Sequence, residues 1–165
     1  MLKKIYQDAQ FKPKFFGLFL NPFYFARKGL YKCISELTPR LKGRLLDIGC
    51  GTKPYKDLCD VNDYIGLEID DGGNRNHSHA DFFYDGNSIP FEDNYFDSIL
   101  ANQVFEHVFN PNSFLQELSR VTKIDGLLLL TVPFVWDEHE QPYDYARYSS
   151  YGLKHILNKN GFKII

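Results

Sequence analysis

Residues Leu45-Leu46-Asp47-Ile48-Gly49-Cys50-Gly51-Thr52 run an apolar stretch into a turn in which an acid is followed by two alternating glycines. Gly49 and Gly51 allow a sharp turn and let the main chain come close to a ligand with no Cβ in the way. Such a turn after a parallel strand is where α/β folds bind nucleotides and related cofactors. Asp47 restricts the choice. A pyrophosphate at the turn would meet a carboxylate just before the first glycine and be repelled. Pro54 also stands where a dinucleotide motif has its third glycine, so a nicotinamide oxidoreductase is disfavoured. The ligand that suits this turn is nucleoside-like and cationic.

These residues sit in a chain that alternates strand and helix signals. Arg44 to Ile48 reads as a first strand buried on both faces, Tyr64 to Ile69 as a second, and Leu127 to Val132 as a late one. Asn21-Pro22 reads as the start of a helix bearing Ala26, Leu30, Ile34 and Leu37 at helical spacing up to Thr38-Pro39. A short helix is expected around Tyr55 to Cys59, and a polar connection over Asp71 to His79. Asn110-Pro111 opens a helix with Phe114, Leu115, Leu118 and Val121 on its inner face, and Asp125-Gly126 is expected to close it. Ser149 or Ser150 caps a last helix that ends at Asn160-Gly161.

Leu46 to Thr52 resembles the first motif of class I S-adenosylmethionine-dependent methyltransferases, of the type-11 branch. Tyr64-Ile65-Gly66-Leu67-Glu68 is similar to the second strand with its terminal acid, and Ala80 to Phe91 to the third strand and the loop after it. Phe96 to Val108 and Leu127 to Phe134 resemble the fourth and fifth strands with their following segments. The resemblance spans roughly residues 41 to 162 in the family's order. It implies a three-layer α/β sandwich, Rossmann-like, with a doubly wound and mostly parallel sheet; residues 1–40, ahead of the matched region, are read as a helical arm or lid. Phe162 to Ile165 is expected to supply only the start of the family's sixth strand and no seventh is expected, so residues 41–165 are read as a domain truncated at its C-terminal strands. Phe162 to Ile165 is expected beside the fifth strand, or else a second copy pairs with that open edge as a homodimer.

The same resemblance assigns the cofactor, S-adenosyl-L-methionine. Asp47 lies near its methionyl ammonium, while Gly49, Cys50 and Gly51 line it with main chain. Glu68 accepts from both ribose hydroxyls, a geometry that suits two carboxylate oxygens. Asp85 accepts from the adenine amino group in preference to Asp81, with the Gly86 N–H at a ring nitrogen. Asn102 and Gln103 flank the methyl donor. Glu106 and His107 follow; relatives of the ubiquinone pathway bind a metal through a Glu-x-x-Glu-His run. Gln103 replaces the first of those acids, so no metal is expected and His107 is read as structural.

Pro133 to Tyr148 is dense in chemistry and lies on the acceptor side. His139 is the candidate base for a hydroxyl acceptor, with Tyr143, Asp144 and Arg147 positioning a polar or anionic one. A salt-bridged structural loop is the alternative. The expected activity is methyl transfer to a small molecule or saccharide, lipid-linked acceptors included; the other reading is a cofactor-binding but inactive, truncated methyltransferase-like protein or subunit.

Composition sets further bounds. At 165 residues, 44% hydrophobic and 24% charged, the chain has the make-up of a soluble single domain with a real core. Cys33, Cys50 and Cys59 show no paired spacing, which suits a reducing cytoplasm. Residues 1–32 carry seven Lys or Arg against Asp8 alone, interleaved with phenylalanines, while the whole chain has a net charge of −2. A lid packed over the cleft explains this arm better than peripheral membrane contact. No nucleic-acid partner is expected, because the remainder of the chain is acidic.

Overall fold

The computed structural model describes residues 11–13, 23–70 and 72–165. Five strands, β1 (Arg44–Ile48), β2 (Asp63–Ile69), β3 (Phe82–Tyr84), β4 (Phe96–Asn102) and β5 (Thr122–Thr131), form one sheet in the order β3-β2-β1-β4-β5. Every neighbouring pair is parallel. The helices are α1 (Tyr24–Leu37), α2 (Pro111–Val121) and α3 (Ser150–Lys159), with short 3-10 turns between several elements.

Alternation along the central strands divides the core between the two faces of the sheet. Leu46, Ile48, Leu67, Ile99 and Ala101 pack with Phe105, with Phe114, Leu115, Leu118 and Val121 of α2, and with Leu157 of α3. Leu45 and Leu100 face the other way and meet Leu41, which follows α1. The inner stripe of α2 is therefore the one its spacing predicts, and Pro111 occupies the first turn, where its missing N–H costs nothing. Ser149 caps α3 by accepting from the Gly152 N–H at 3.1 Å.

Several boundaries differ from the expectation. The predicted Asn21-Pro22 cap lies outside the described residues; α1 is followed from Tyr24, and Ile34 is its fully buried residue. The short helix near Tyr55 contracts to a 3-10 turn over Lys56–Leu58. Asp125-Gly126 does not end α2. The helix stops at Val121, and Thr122 pairs at once with Phe96, so residues 123–126 are absorbed by an irregular register before Ser98 meets Leu127. Lys123 reaching Asp97 at 2.7 Å holds that irregularity in place. Phe162 to Ile165 adds no strand beside β5: the Phe162 N–H donates to the Leu157 carbonyl at 3.0 Å and its ring packs on the core. Among the described residues no helix is long and apolar enough to cross a membrane.

The loop after β3 is docked onto α2 by charge-assisted hydrogen bonds. Arg120 donates to the carbonyls of Phe91 and Ile89 at 2.8 and 2.9 Å, while Glu117 accepts from the Ile89 N–H at 2.8 Å. A shallow hollow of about 490 Å³ beside this loop shares no residue with the glycine turn. The turn itself is shaped by β4's continuation. Gly49 has φ +66°, and a Cβ there would lie 2.3 Å from Cγ2 of Val104. Gly49→Ala is expected to lower stability by about 2–4 kcal/mol through backbone strain and overpacking. Urea unfolding of the Gly49→Ala/Val104→Ala double variant should show a smaller loss than the sum of the single variants. Strict additivity would mean that Val104 does not crowd the turn.

Candidate active site

Parallel pairing brings the carboxyl ends of adjacent strands to one edge, and Asp47, Glu68, Asp85 and Asn102 all lie at or just past those ends. The turn after β1 is tied to β2 through main chain: the N–H groups of Gly49 and Cys50 both donate to the Leu67 carbonyl, at 2.9 and 3.3 Å. The Gly51 N–H donates to Oε2 of Glu68 at 2.9 Å, and Oε1 accepts from the Ile69 N–H at 3.2 Å. The two glycines differ in what surrounds them. Around Gly51, with φ +48°, nothing lies within 4 Å of the position a Cβ would take, so here the main chain borders open space. At Gly49 the steric demand comes from Val104.

Asp47 is 4% exposed and accepts a hydrogen bond from the Tyr64 hydroxyl at 2.5 Å. Burial pushes its carboxyl up to about 7, the Tyr64 bond pulls it partly back, and Glu68 adds a like charge. Cys50 is buried, its thiol pushed up to about 12 chiefly by desolvation, and its sulfur lies 2.8 Å from where a Cβ on Gly66 would stand. It thus offers the turn main chain only. Asp81 is engaged elsewhere, accepting from Lys53 at 2.6 Å and from the Gly66 N–H at 2.7 Å. Asp85 is exposed and accepts from the N–H groups of Asn87 and Ser88 at 2.9 and 3.1 Å, which holds its carboxyl below the usual range. Gly86 follows with φ +81°, against Ile69 at the end of β2.

On the far side of β1, Thr131 of β5 organises the end of β4. Its hydroxyl donates to Oδ1 of Asn102 at 2.8 Å and accepts from the Gln103 side-chain amide at 3.3 Å. Gln103, at φ +56°, shares a cavity of about 220 Å³ with Ala26, Arg27 and Leu30 of α1, Trp136 and His139. Ala26 and Leu30, from the helical stripe read in the sequence, wall this cavity. The Phe23 ring packs on Trp136 at 4.6 Å between centroids, and Arg27 lies over the same indole at 5.6 Å.

The loop that carries His139 is held by an internal ion pair. Arg147 grips Asp144 with two bonds of 2.5 and 2.7 Å and also donates to the carbonyls of Trp136, Asp137 and Ala146. That grip holds the Asp144 carboxyl well below the usual carboxylate range. Asp144 accepts in turn from the His139 N–H at 2.9 Å, so Arg147 reaches the site through the loop it braces. Tyr143 has an exposed ring, and its carbonyl accepts from Nδ1 of His107 at 2.9 Å. The residue that sequence reasoning undervalued is Glu106. It is wholly buried, neither carboxylate oxygen has a hydrogen-bond partner among the described residues, and burial pushes its carboxyl up. Its acid-His dipeptide after β4 was the available signal; only the fold brings His139 alongside, with the two imidazoles edge to face at 4.8 Å.

The Asp47 environment has a consequence for stability. A carboxyl near 4 when unfolded and about 7 when folded binds more protons in the native state between those values. Stability therefore falls as pH rises through that window, by up to about 1.4 kcal/mol per unit. Relative to Asp47→Asn, the wild-type unfolding free energy in urea should drop between pH 5 and 7.5 and level off above it. A flat difference would show that Asp47 is solvated.

Residues 46–130, just over half of the chain, match the family model described as a methyltransferase domain. The demethylmenaquinone methyltransferase of Renibacterium salmoninarum is 33% identical over 96 residues, which cover 53% of this chain and 40% of that protein. The chain spans about half or less of the length of the curated relatives it matches. Among solved structures, a chain from the Haloferax volcanii complex containing the Trm112 methyltransferase activator superposes with TM-score 0.62 at 20% identity, covering 84% of this chain and 70% of its own. An S-adenosylmethionine-dependent methyltransferase of Thermotoga maritima gives 0.61 at 20% identity, with 91% and 79% covered. The parallel sheet, the glycine turn braced by Glu68 and the sequence match agree: the chain belongs to the methyltransferase-domain family, a family whose cofactor is S-adenosylmethionine.

Proposed function

We propose that this chain transfers a methyl group from S-adenosylmethionine to a small polar acceptor, saccharides included. The observation that supports it most is the meeting of three features at one sheet edge: the open space at Gly51, the acids Asp47 and Glu68 beside it, and a cavity under α1 walled by Gln103 and His139. These residues fit the cofactor. A buried carboxyl at about 7 is one that an ammonium group would hold ionised, and Glu68 stands at the end of β2 bracing Gly51, where a two-oxygen acceptor suits a pair of ribose hydroxyls. Asp85 and Gly86 then take the adenine, and Asn102 and Gln103 lie nearest the reacting end.

The cofactor supplies an electrophilic methyl on a sulfonium. What the chain contributes is alignment, exclusion of water and a place for the acceptor's proton. The Nδ1 of His139 faces two acceptors, the Asp137 carbonyl at 3.1 Å and Asp144 at 3.2 Å. Nδ1 therefore carries the hydrogen, and Nε2 keeps the lone pair that takes the proton of a hydroxyl acceptor. Tyr143 serves the acceptor side with its exposed ring, and Arg147 by holding the loop. The helix α1 acts as the lid of this cavity, and a reducing cytoplasm is the compartment the three free cysteines suit.

Calorimetric titration with S-adenosylhomocysteine and NAD in parallel tests the cofactor half. S-adenosylhomocysteine should bind, with affinity rising as pH increases from 5.5 to 7.5, and Asp47→Asn should remove that slope. Glu68→Ala should cost about 1.5–3 kcal/mol of affinity, Glu68→Asp less. Binding of NAD alone would defeat the reading. On the acceptor side, His139→Ala should lower turnover about a hundredfold or more with the S-adenosylhomocysteine dissociation constant unchanged. Undiminished turnover would return the loop to a structural role.

A further inference from the structure

We propose that Glu106, His107 and His139 form a binding site for one divalent transition-metal cation at the wall of the cavity under α1. Two of these residues follow β4 and the third comes from the loop after β5. One donor atom from each lies within 4.8 Å of the others, so a common centre exists within about 2.8 Å of all three. Metal–nitrogen and metal–oxygen bonds of about 2.0–2.2 Å then require each side chain to close by well under 1 Å.

The hydrogen bonds around the cluster have the polarity a metal site needs. Nδ1 of His107 faces the Tyr143 carbonyl at 2.9 Å, and Nδ1 of His139 faces the Asp137 carbonyl and the Asp144 carboxylate. All three partners only accept, so both Nδ1 atoms carry hydrogen and both Nε2 atoms keep lone pairs. Imidazoles oriented through Nδ1 by a carbonyl or a carboxylate are the usual outer shell of histidine ligands. Asp144 is itself clamped by Arg147, which makes His139's orientation rigid.

Glu106 supplies the second, independent observation. The residue is 0% exposed, and both of its carboxylate oxygens lack hydrogen-bond partners among the described residues. Leaving such a group unpaired is costly. His107 does not satisfy it, since Nε2 lies 3.9 Å from Oε1, beyond hydrogen-bond reach. A cation between the three would satisfy the carboxylate and both lone pairs together. Two imidazoles and one carboxylate select zinc, iron or cobalt over magnesium or calcium, and three protein ligands leave a coordination position open. The expectation of no metal rested on Gln103 replacing an acid; the structure supplies a donor that spacing along the chain does not show. A cation on Nε2 would change how His139 serves the acceptor, from taking its proton to holding the ion beside it. Both roles fall together in His139→Ala, so the test reads binding.

Chelator-treated full-length protein is titrated with Co²⁺ and followed by its ligand-field absorption, with Zn²⁺ and Mg²⁺ as competitors. The expected result is one Co²⁺ per chain, displaced by Zn²⁺ and not by Mg²⁺. Glu106→Gln, which keeps the side-chain shape, and His139→Asn should each weaken binding about tenfold or more. The His77→Ala/His79→Ala double variant should leave it unchanged. Zn²⁺ should also raise the Tm of the wild type and not that of Glu106→Gln, which decides the matter even where a histidine variant folds poorly. Absent cobalt bands, or bands that persist in Glu106→Gln and His139→Asn, overturn the site. Because S-adenosylhomocysteine binding is read separately, failure here is distinguishable from failure of the methyl-transfer reading.

Discussion

The tie between the first glycine turn and the second strand is the constraint on which the rest of this structure depends. Leu67 accepts from two successive N–H groups of the turn, and Glu68 accepts from a third with its side chain. A turn held this way cannot drift along the sheet edge, and the left-handed backbone at Gly51 is kept next to open space. The parallel register of β1 with β2 and β4 then decides everything nearby, because it sets which residues reach the same edge. Asp47 pairs with Gly66, whose missing Cβ leaves room that Cys50 and the Lys53 side chain fill, while Tyr64 donates its hydroxyl to the acid.

A second network organises the segment after β5. Arg147, Asp144 and the carbonyls they engage turn the segment after β5 into a rigid strap. Two further bonds lay that strap against the end of β4: the N–H groups of Tyr145 and Ala146 donate to the Glu106 carbonyl at 2.9 and 3.2 Å. The strap thereby seats His139 beside His107 and closes one wall of the cavity. The opposite wall is α1, where Phe23 and Arg27 meet Trp136. In the described part of the arm, one aromatic ring and one guanidinium thus pack on the Trp136 indole.

Two carboxyls of the site, Asp47 and Glu106, are pushed up by burial. Asp47 has one hydroxyl donor, and Glu106 has none. Buried carboxylates in this state are expensive to a fold, and they become favourable only when a positive ligand arrives. Asp47 lies beside the glycine turn, and Glu106 lies beside His107 and His139.

Local chemistry was legible in the sequence because its causes lie within a few residues. The both-faces-buried pattern of β1, the proline and apolar stripe of α2, the serine cap of α3 and the acid-glycine turn each follow from neighbours along the chain. The resemblance carried by those motifs was enough to name the family and the doubly wound, mostly parallel sheet it implies. What the sequence did not show are pairings across long separations. Tyr64 with Asp47, Val104 against Gly49, His107 with the Tyr143 carbonyl, and Glu106 with His139 depend on which strands lie side by side. The same is true of Thr122, which ends α2 early because it finds Phe96 as a partner. Sheet register and the path of the loop after β5 exist only in the folded chain, so the tertiary structure alone decided which carboxylates are left waiting for charge.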